Sequence, residues 1–559
     1  MTSNSQGRKK LLFAAVMATI AVLVPLILLE GTVRVLGWKT PDDPYIHFGR
    51  FVSFFAEVEK NGVAHMQVKA RALYREREVA FAKRKPVGTF RIFCIGSSAS
   101  AGWPHPPQEI YSAYLERALK LAYPGRALEV INVSAHAYAA YRSRLILNEI
   151  LPFEPDLIII YAGNNEFLEP RRYATATRWY DPLSSLAENF IAYNVLRGGS
   201  TARKLFPEST FSSDERGNAA FEQWSRIEKL ALALRTEPSQ YEKVIEHYHF
   251  SISSMVQAAK GKGAKVILLT VPTNLRDWQP NVSVNTVQGE KHNAWREHYE
   301  AGRGALLRGD SKLSVAALTQ ATKLDAGHAA THYYRGRALE ADGRLQDAYG
   351  SYDLARDLDA NPFRAVSRFN EVIRRIGKTF ENVTVVDAEA IFRAASHPYA
   401  PGFDLFLDYV HPTKSGNLII AKSVYDAIVA GEALGPASAP FKHIAEVGKD
   451  GVTYDAAKDY SMQFALLALA IGMHQNETAL NLATQLMADP EAFKQLSPER
   501  AQSVRAARAV FRDIVAVERK ELLREVASAA EKASVHQRQT ELFPMFFGNY
   551  SDYLRQKQR

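Results

Sequence analysis

Five short apolar runs punctuate the chain, and each is separated from the next by a longer segment of helical character. They are Phe90–Ile95, Leu128–Val133, Asp156–Tyr161, Lys265–Val271 and Asn382–Asp387. Runs of this length suit buried strands, and alternation with helices is what parallel βαβ units require. The expected fold class is α/β: a doubly wound parallel five-stranded sheet, whose ligand site lies beyond the carboxyl ends of its strands. A polar loop follows each of the first three runs at once: Gly96-Ser97-Ser98, Ser134-Ala135-His136-Ala137 and Gly163-Asn164-Asn165-Glu166. The single cysteine, Cys94, sits inside the first run and reads as a small core hydrophobe. One cysteine excludes an intrachain disulfide and a cysteine-based zinc site.

The fourth and fifth runs are more than a hundred residues apart, too far for an ordinary crossover. A shift of 34 residues superposes Tyr299 on Tyr333, Gly302 on Gly336, Arg303 on Arg337 and Gly309 on Gly343. It also superposes Ala321 on Ala355, Leu324 on Leu358, Asp325 on Asp359 and Ala326 on Ala360. That spacing is the tetratricopeptide period, and residues 290–362 resemble two such repeats inserted between strands. Gly336, Ala348, Tyr352 and Ala355 fall at the small and aromatic positions through which the helices of a repeat pack. The repeats are expected to lean on other helices, to receive a protein partner, and to form a unit whose removal spares the chemistry of the α/β domain.

The N-terminus carries Arg8, Lys9 and Lys10, followed by an uncharged apolar stretch from Leu11 to Leu29. That length spans a bilayer as a helix, and the basic flank predicts a cytoplasmic N-terminus with the rest of the chain outside. The run is longer than a signal-peptide core and no small-x-small site follows it, which favours an uncleaved anchor. The 559 residues call for several domains. The expected division is 1–30 flank and transmembrane anchor, 31–87 juxtamembrane segment, 88–289 first part of the α/β domain with a cap, 290–362 repeats, 363–435 last part of the α/β domain, and 436–559 helical C-terminal region. The cap is expected between Pro170 and Glu246. Asp459–Met487 reads as two helices and Gln502–His536 as one long helix with Val504, Val510, Ile514 and Val517 on a stripe. A net charge of +9 is mild at this length, and no basic stripe with interleaved aromatics is present, which argues against nucleic acid. No histidine–carboxylate cluster has metal-ligand spacing, and no cofactor is expected.

The loops after the strands resemble the four blocks of the SGNH (GDSL-like) hydrolases. Ile95-Gly96-Ser97-Ser98-Ala99-Ser100-Ala101-Gly102 is similar to the nucleophile block, with Ser98 at the nucleophile position. Asn132-Val133-Ser134-Ala135-His136-Ala137 and Gly163-Asn164-Asn165-Glu166 match the second and third blocks, and Asp408-Tyr409-Val410-His411-Pro412 matches the last. The resemblance covers roughly 88–170, 262–275 and 380–430. It implies a flavodoxin-like sheet, a catalytic Ser98, His411 and Asp408, and an oxyanion hole of the Ser98 and Ala137 backbone N–H groups and the Asn165 amide. Three residues depart from the family pattern: Ser97 stands for aspartate, Ala137 for glycine, and Glu166 for aspartate. Ala137 keeps its N–H as a donor unless the position needs a positive φ, which alanine resists.

Physical chemistry points the same way. A serine hydroxyl needs a neighbouring base, which neutral imidazole supplies in its ordinary range near pH 6–7. The imidazole needs an acceptor on its other nitrogen, and Asp408, three residues before His411, can curl back to it. Taken singly, the serines could be a helix N-cap, the asparagines turn residues and His411 a loop histidine. His105 and His136 read as cleft lining. The expected function is an extracytoplasmic, membrane-anchored esterase, periplasmic in a Gram-negative cell, acting on an acylated envelope glycan or a lipid. An acyltransferase with the same triad and a non-catalytic scaffold built on the repeats are the alternatives.

Overall fold

The structure is a computed structural model. It describes residues 3–39, 49–51, 53–69, 79–168, 190–191, 204–205, 232–432, 434–441, 460–473, 475–488, 493–494 and 496–522, with short pieces between 531 and 546. The cap expected between Pro170 and Glu246 lies mostly outside the described residues.

The chain divides into two compact units. The smaller, residues 1–54 and 173–208, holds helix α1 (Ser3–Val35) and three short paired strands, Trp38–Lys39, Gly49–Phe51 and Lys204–Leu205. Within α1, an 18-residue window of Lys10–Val35 reaches a mean hydropathy of 2.8, and the stretch is long and apolar enough to cross a membrane.

The larger unit, residues 55–172 and 209–559, is built on a parallel sheet. Its strands are β1 (Thr89–Gly96), β2 (Ala127–Asn132), β3 (Leu157–Tyr161), β4 (Lys265–Leu269) and β5 (Val383–Val386). Their order in space is β2-β1-β3-β4-β5, all parallel. This is the doubly wound arrangement whose order reverses between β1 and β3, so the crevice for a ligand opens at the carboxyl ends of those two strands. Each run expected to be a strand is one. The central β1 and β3 are apolar because neighbours cover both faces: Ile92, Phe93, Cys94, Ile95 and Leu157 to Tyr161 are buried.

Helices α3 (Tyr111–Ala122) and α12 (Lys414–Ala430) pack together, as do α4 (Ala140–Ile150), α5 (Pro238–Lys260) and α10 (Ser367–Thr379). The residues read as a plain juxtamembrane segment contain an antiparallel sheet, Phe55–Lys60, Val63–Val68 and Ala80–Ala82. Its first hairpin turns through Asn61 and Gly62, both at positive φ, the residue pair that such a turn favours. It is fastened to the main sheet by Phe81, whose ring lies 5.1 Å from that of Phe93.

Between β4 and β5, ahead of α10, the chain forms two helical hairpins: α6 (Gly289–Leu307) packs on α7 (Ser311–Leu324), and α8 (Ala329–Ala341) on α9 (Leu345–Leu358). The two pairs repeat one device. A Cβ on Gly302 would come within 2.5 Å of Leu318, and one on Gly336 within 2.7 Å of Tyr352, positions related by the same 34-residue shift. Any side chain at either glycine would wedge its helix pair apart.

These hairpins are not independent of the α/β domain. Tyr333 and Tyr352 share a buried cluster with Leu275 and Ala400. Asp359 accepts from the backbone N–H groups of Asn281 (2.8 Å) and Val282 (3.1 Å), and Tyr333 Oη donates to Arg276 O (2.9 Å). Excising 290–362 would therefore expose apolar surface and free the 274–286 loop.

His328 gives this segment a pH response. Its Nδ1 accepts from the Thr331 N–H (3.2 Å) and hydroxyl (2.9 Å), capping α8. Burial, with help from His332 and His292 and against the pull of Asp325, holds its pKa down at about 4. The folded state thus prefers the neutral ring. Its stabilisation is complete above the unfolded value near 6.5 and is lost as pH falls toward 4, by up to about 3 kcal/mol. His328→Asn keeps a cap acceptor that does not titrate. Thermal melts from pH 7 to 4 are expected to show the wild type losing stability relative to this variant, and parallel curves would contradict the assignment.

After β5, α11 (Ala388–Ala395) leads to the loop that ends in α12. The C-terminal region contains α13 (Tyr460–Gly472), α14 (Asn476–Ala488) and α15 (Pro498–Leu522). Asp459–Met487, read as two helices, corresponds to α13 and α14, and Asn476 opens the second. Helix α15 begins earlier than the predicted 502 and buries Val504, Val510 and Ile514 along its stripe; residues 523–530 of the predicted helix lie outside the described residues.

Candidate active site

Ser98 opens the short helix α2 (Ser98–Ala101) directly after β1. Ser97, in extended conformation before it, makes no capping bond with its side chain, and its buried hydroxyl has no hydrogen-bond partner among the described residues. The serine pair is therefore not spent on capping the helix. A buried network fixes α2 instead: Asn132 at the end of β2 donates to Ser100 O (2.8 Å) and Ser112 Oγ (2.9 Å), and Ser134 Oγ donates to Ser100 Oγ (2.8 Å).

His411 and Asp408 come from the loop before α12. That loop is pinned across its base, with Leu407 N–H donating to His411 O and Thr413 N–H to Leu405 O, both at 2.8 Å. Its tip curls so that Asp408 Oδ1 accepts the backbone N–H groups of Val410 and His411, each at 2.8 Å. The other carboxylate oxygen meets His411 Nδ1 at 2.6 Å. On the far side of the ring, His411 Nε2 lies 2.8 Å from Ser98 Oγ. Residues 313 apart in the chain thus form one hydrogen-bonded line, Asp408–His411–Ser98. It is nearly closed to solvent: Ser98 is 8%, His411 6% and Asp408 1% exposed.

The remaining expected residues lie on the neighbouring loops. Asn165, after β3, donates from Nδ2 to Tyr138 O (3.3 Å), beside Ala137. An amide nitrogen carries two protons, so this bond uses half of its donor capacity. Glu166 is buried, and its Oε1 accepts from Ala140 N–H (2.8 Å) at the start of α4. The longer carboxylate thus joins the loops after β2 and β3. Asn164 Oδ1 accepts from Ala365 N–H (3.1 Å). Below them Tyr248 Oη donates to Ala162 O (2.8 Å), its pKa pushed well up by burial and by the Glu166 carboxylate.

Ala137 has φ +56°, so alanine occupies the left-handed conformation that the glycine of the family pattern adopts freely. This costs an L-residue about 1–2 kcal/mol, part of which glycine would forfeit through its freer unfolded chain. Ala137→Gly is expected to stabilise the protein by up to about 1 kcal/mol without moving the loop. Denaturant unfolding tests this, and a destabilised variant would contradict it.

Sequence reasoning missed the groups that hold the Asp408–His411 loop. Asn274, fully buried after β4, donates from Nδ2 to Asp408 O and from its backbone N–H to Tyr409 O, both at 3.0 Å. The buried Arg364 in turn donates to Trp278 O (3.0 Å) and closely to Asn274 O. His105, expected to line the cleft, instead donates from Nε2 to Pro412 O at 2.8 Å. Asn417 Nδ2 also donates to Pro412 O (3.3 Å). His136 is half-buried on the β2 loop. The only local signal for these ties is the Asn274-Leu275 pair at the polar end of an apolar run. Among the described residues there is no group of three or more histidine, cysteine or acidic side chains able to hold a metal ion.

No protein-family model matches the chain, and no curated protein matches it. Solved structures similar to it include a variant of Axe2, an acetyl xylan esterase from Geobacillus stearothermophilus, at 14% identity and a TM-score of 0.28, covering 61% of this chain and 94% of that one. A GDSL-like lipase from Bacteroides thetaiotaomicron is 14% identical with a TM-score of 0.25, covering 61% of this chain and 88% of its own. A lipase/acylhydrolase from Enterococcus faecalis is 12% identical with a TM-score of 0.27, covering 61% and 96%.

Proposed function

We propose that the protein is a serine esterase of the SGNH type, anchored in a membrane by α1, with Ser98 as nucleophile, His411 as base and Asp408 as its orienting carboxylate. The observation that carries this reading is the unbroken Asp408–His411–Ser98 line at the carboxyl ends of the sheet. With the imidazole proton on Nδ1, held by Asp408, Nε2 is free to accept the Ser98 proton as Oγ attacks an acyl carbonyl. The oxyanion that forms draws on the backbone N–H groups of Ser98 and Ala137 and on the second Asn165 N–H, donors worth about 3–4 kcal/mol each when preorganised. Imidazolium then protonates the departing alcohol, an acyl group stays on Ser98, and water repeats the sequence in reverse.

The basic flank Arg8-Lys9-Lys10 supports a cytoplasmic N-terminus, which would put the catalytic unit outside the cytoplasm and, in a Gram-negative cell, in the periplasm. There the substrate is an O-acylated envelope glycan or a lipid, and the paired hairpins α6–α9 serve as tetratricopeptide-like repeats that receive a protein partner. The test is turnover of an aryl acetate by the purified chain, with products analysed in the presence and absence of an oligosaccharide acceptor. Free acetate in both conditions supports the esterase. Acetyl transfer to the sugar would identify a transferase, and no acyl product in either condition would overturn the reading.

A further inference from the structure

Helix α13 has an unusual surface. Phe464, Ala465, Leu466, Leu467, Ala468, Ala470 and Ile471 are all buried and Gln463 and Leu469 half-buried, so none of its described side chains is exposed and apolar residues are covered on several sides. One side meets the candidate active site. Leu466 of α13 and Leu482 of α14 pack with Trp103 and Leu407 in a single apolar cluster. The last two residues belong to the reacting loops. Trp103 donates its backbone N–H to Ser98 O (3.0 Å), and its ring stands edge-on to that of His411 with centroids 4.4 Å apart. Leu407 donates its N–H to His411 O (2.8 Å). The turn after α13 is tied down as well: the buried Gln475 donates to Gln279 O and Asn281 Oδ1, both at 3.2 Å.

We propose that the C-terminal helices complete the active site, with Leu466 and Leu482 forming, on Trp103, the wall that bounds the subsite of the departing alcohol. The assignment rests on the esterase reading for its side of the site. His411 Nε2 must hand its proton to the leaving oxygen, so that group departs beside the imidazole, the side that Trp103 and the two leucines cover. The wall limits the size of the alcohol and holds the His411 ring against rotation. A specificity-determining role therefore falls to a region outside the α/β domain.

The test compares wild type with Leu466→Ala/Leu482→Ala and with Leu466→Met, which keeps the volume. Leu466→Ala alone replaces the double variant if that one unfolds. Two readouts are taken: kcat/KM for 2-naphthyl acetate relative to phenyl acetate, and hydrogen exchange of residues 98–103 and 405–411. Opening the wall is expected to raise the preference for the bulkier ester about tenfold, the scale set by a missing apolar contact in a pocket. It should also speed exchange in both loops while β1 and β3 stay protected, with Leu466→Met unchanged. An unaltered preference with unaltered exchange would overturn the wall. If the wild type turns over neither ester, the esterase reading fails on its own, and exchange alone decides whether the helices hold the two loops.

Discussion

Ser98→Ala is expected to abolish ester turnover, lowering kcat by a factor of about 10⁶, the scale of nucleophile removal in serine hydrolases. Nothing else in the line can replace the lost oxygen. Ser97 Oγ is buried with no hydrogen-bond partner among the described residues, whereas Ser98 Oγ is the atom facing His411 Nε2. The fold should tolerate the change, because α2 is held by Asn132, Ser134 and Ser100 and not by the Ser98 hydroxyl. Steady-state assays on Ser98→Ala and Ser97→Ala check this, alongside melting curves. An active Ser98→Ala paired with an inactive Ser97→Ala would place the nucleophile one residue earlier.

The second large effect is expected from Asp408→Asn, a loss of about 10⁴ in kcat, as found where the orienting carboxylate of such a triad becomes an amide. The reason is specific to this loop. Oδ1 of Asp408 accepts two backbone N–H groups, so the amide oxygen must stay on that side and the NH₂ must face His411. The amide then donates to Nδ1, which forces the ring proton onto Nε2, the atom that has to accept from Ser98. Geometry is retained while the tautomer is wrong. The expected signature is a fallen kcat with a melting temperature close to wild type. A variant that loses activity and stability together would mean that Asp408 serves the loop and not the base.

What the sequence revealed followed the range of the interactions. Strands buried on both faces write themselves as apolar runs, so β1 to β5 were readable one by one. Asp408 reaches His411 within a single loop, so that partnership was readable from a spacing of three residues. Ser98 and His411, 313 residues apart, could be joined only by knowing that both follow strands of one sheet. Asn274, Arg364 and His105 act through backbone carbonyls and amides of distant loops, and a bond to a backbone atom leaves no pattern in the sequence of its partner. The Asn61-Gly62 turn did carry a local signal, and the sheet beside it could have been found there. Helix α13 is apolar all round, so its periodicity could not say what it covers. The hairpins were recognisable by their period, but the residues that fuse them to the loop beneath the site, Asp359 and Tyr333, look like ordinary repeat positions. Function enters at such contacts, where separate elements meet.

The central claim is that Ser98 is a nucleophile activated by His411. The most direct measurement is reaction of the purified full-length chain with a fluorophosphonate probe, followed by digestion and peptide mapping. Such a probe bonds only to a serine whose proton a neighbouring base has taken. The expected result is one phosphonylated residue, Ser98, with labelling lost in His411→Ala. A folded protein that takes no label, or takes it at another serine, would contradict the claim.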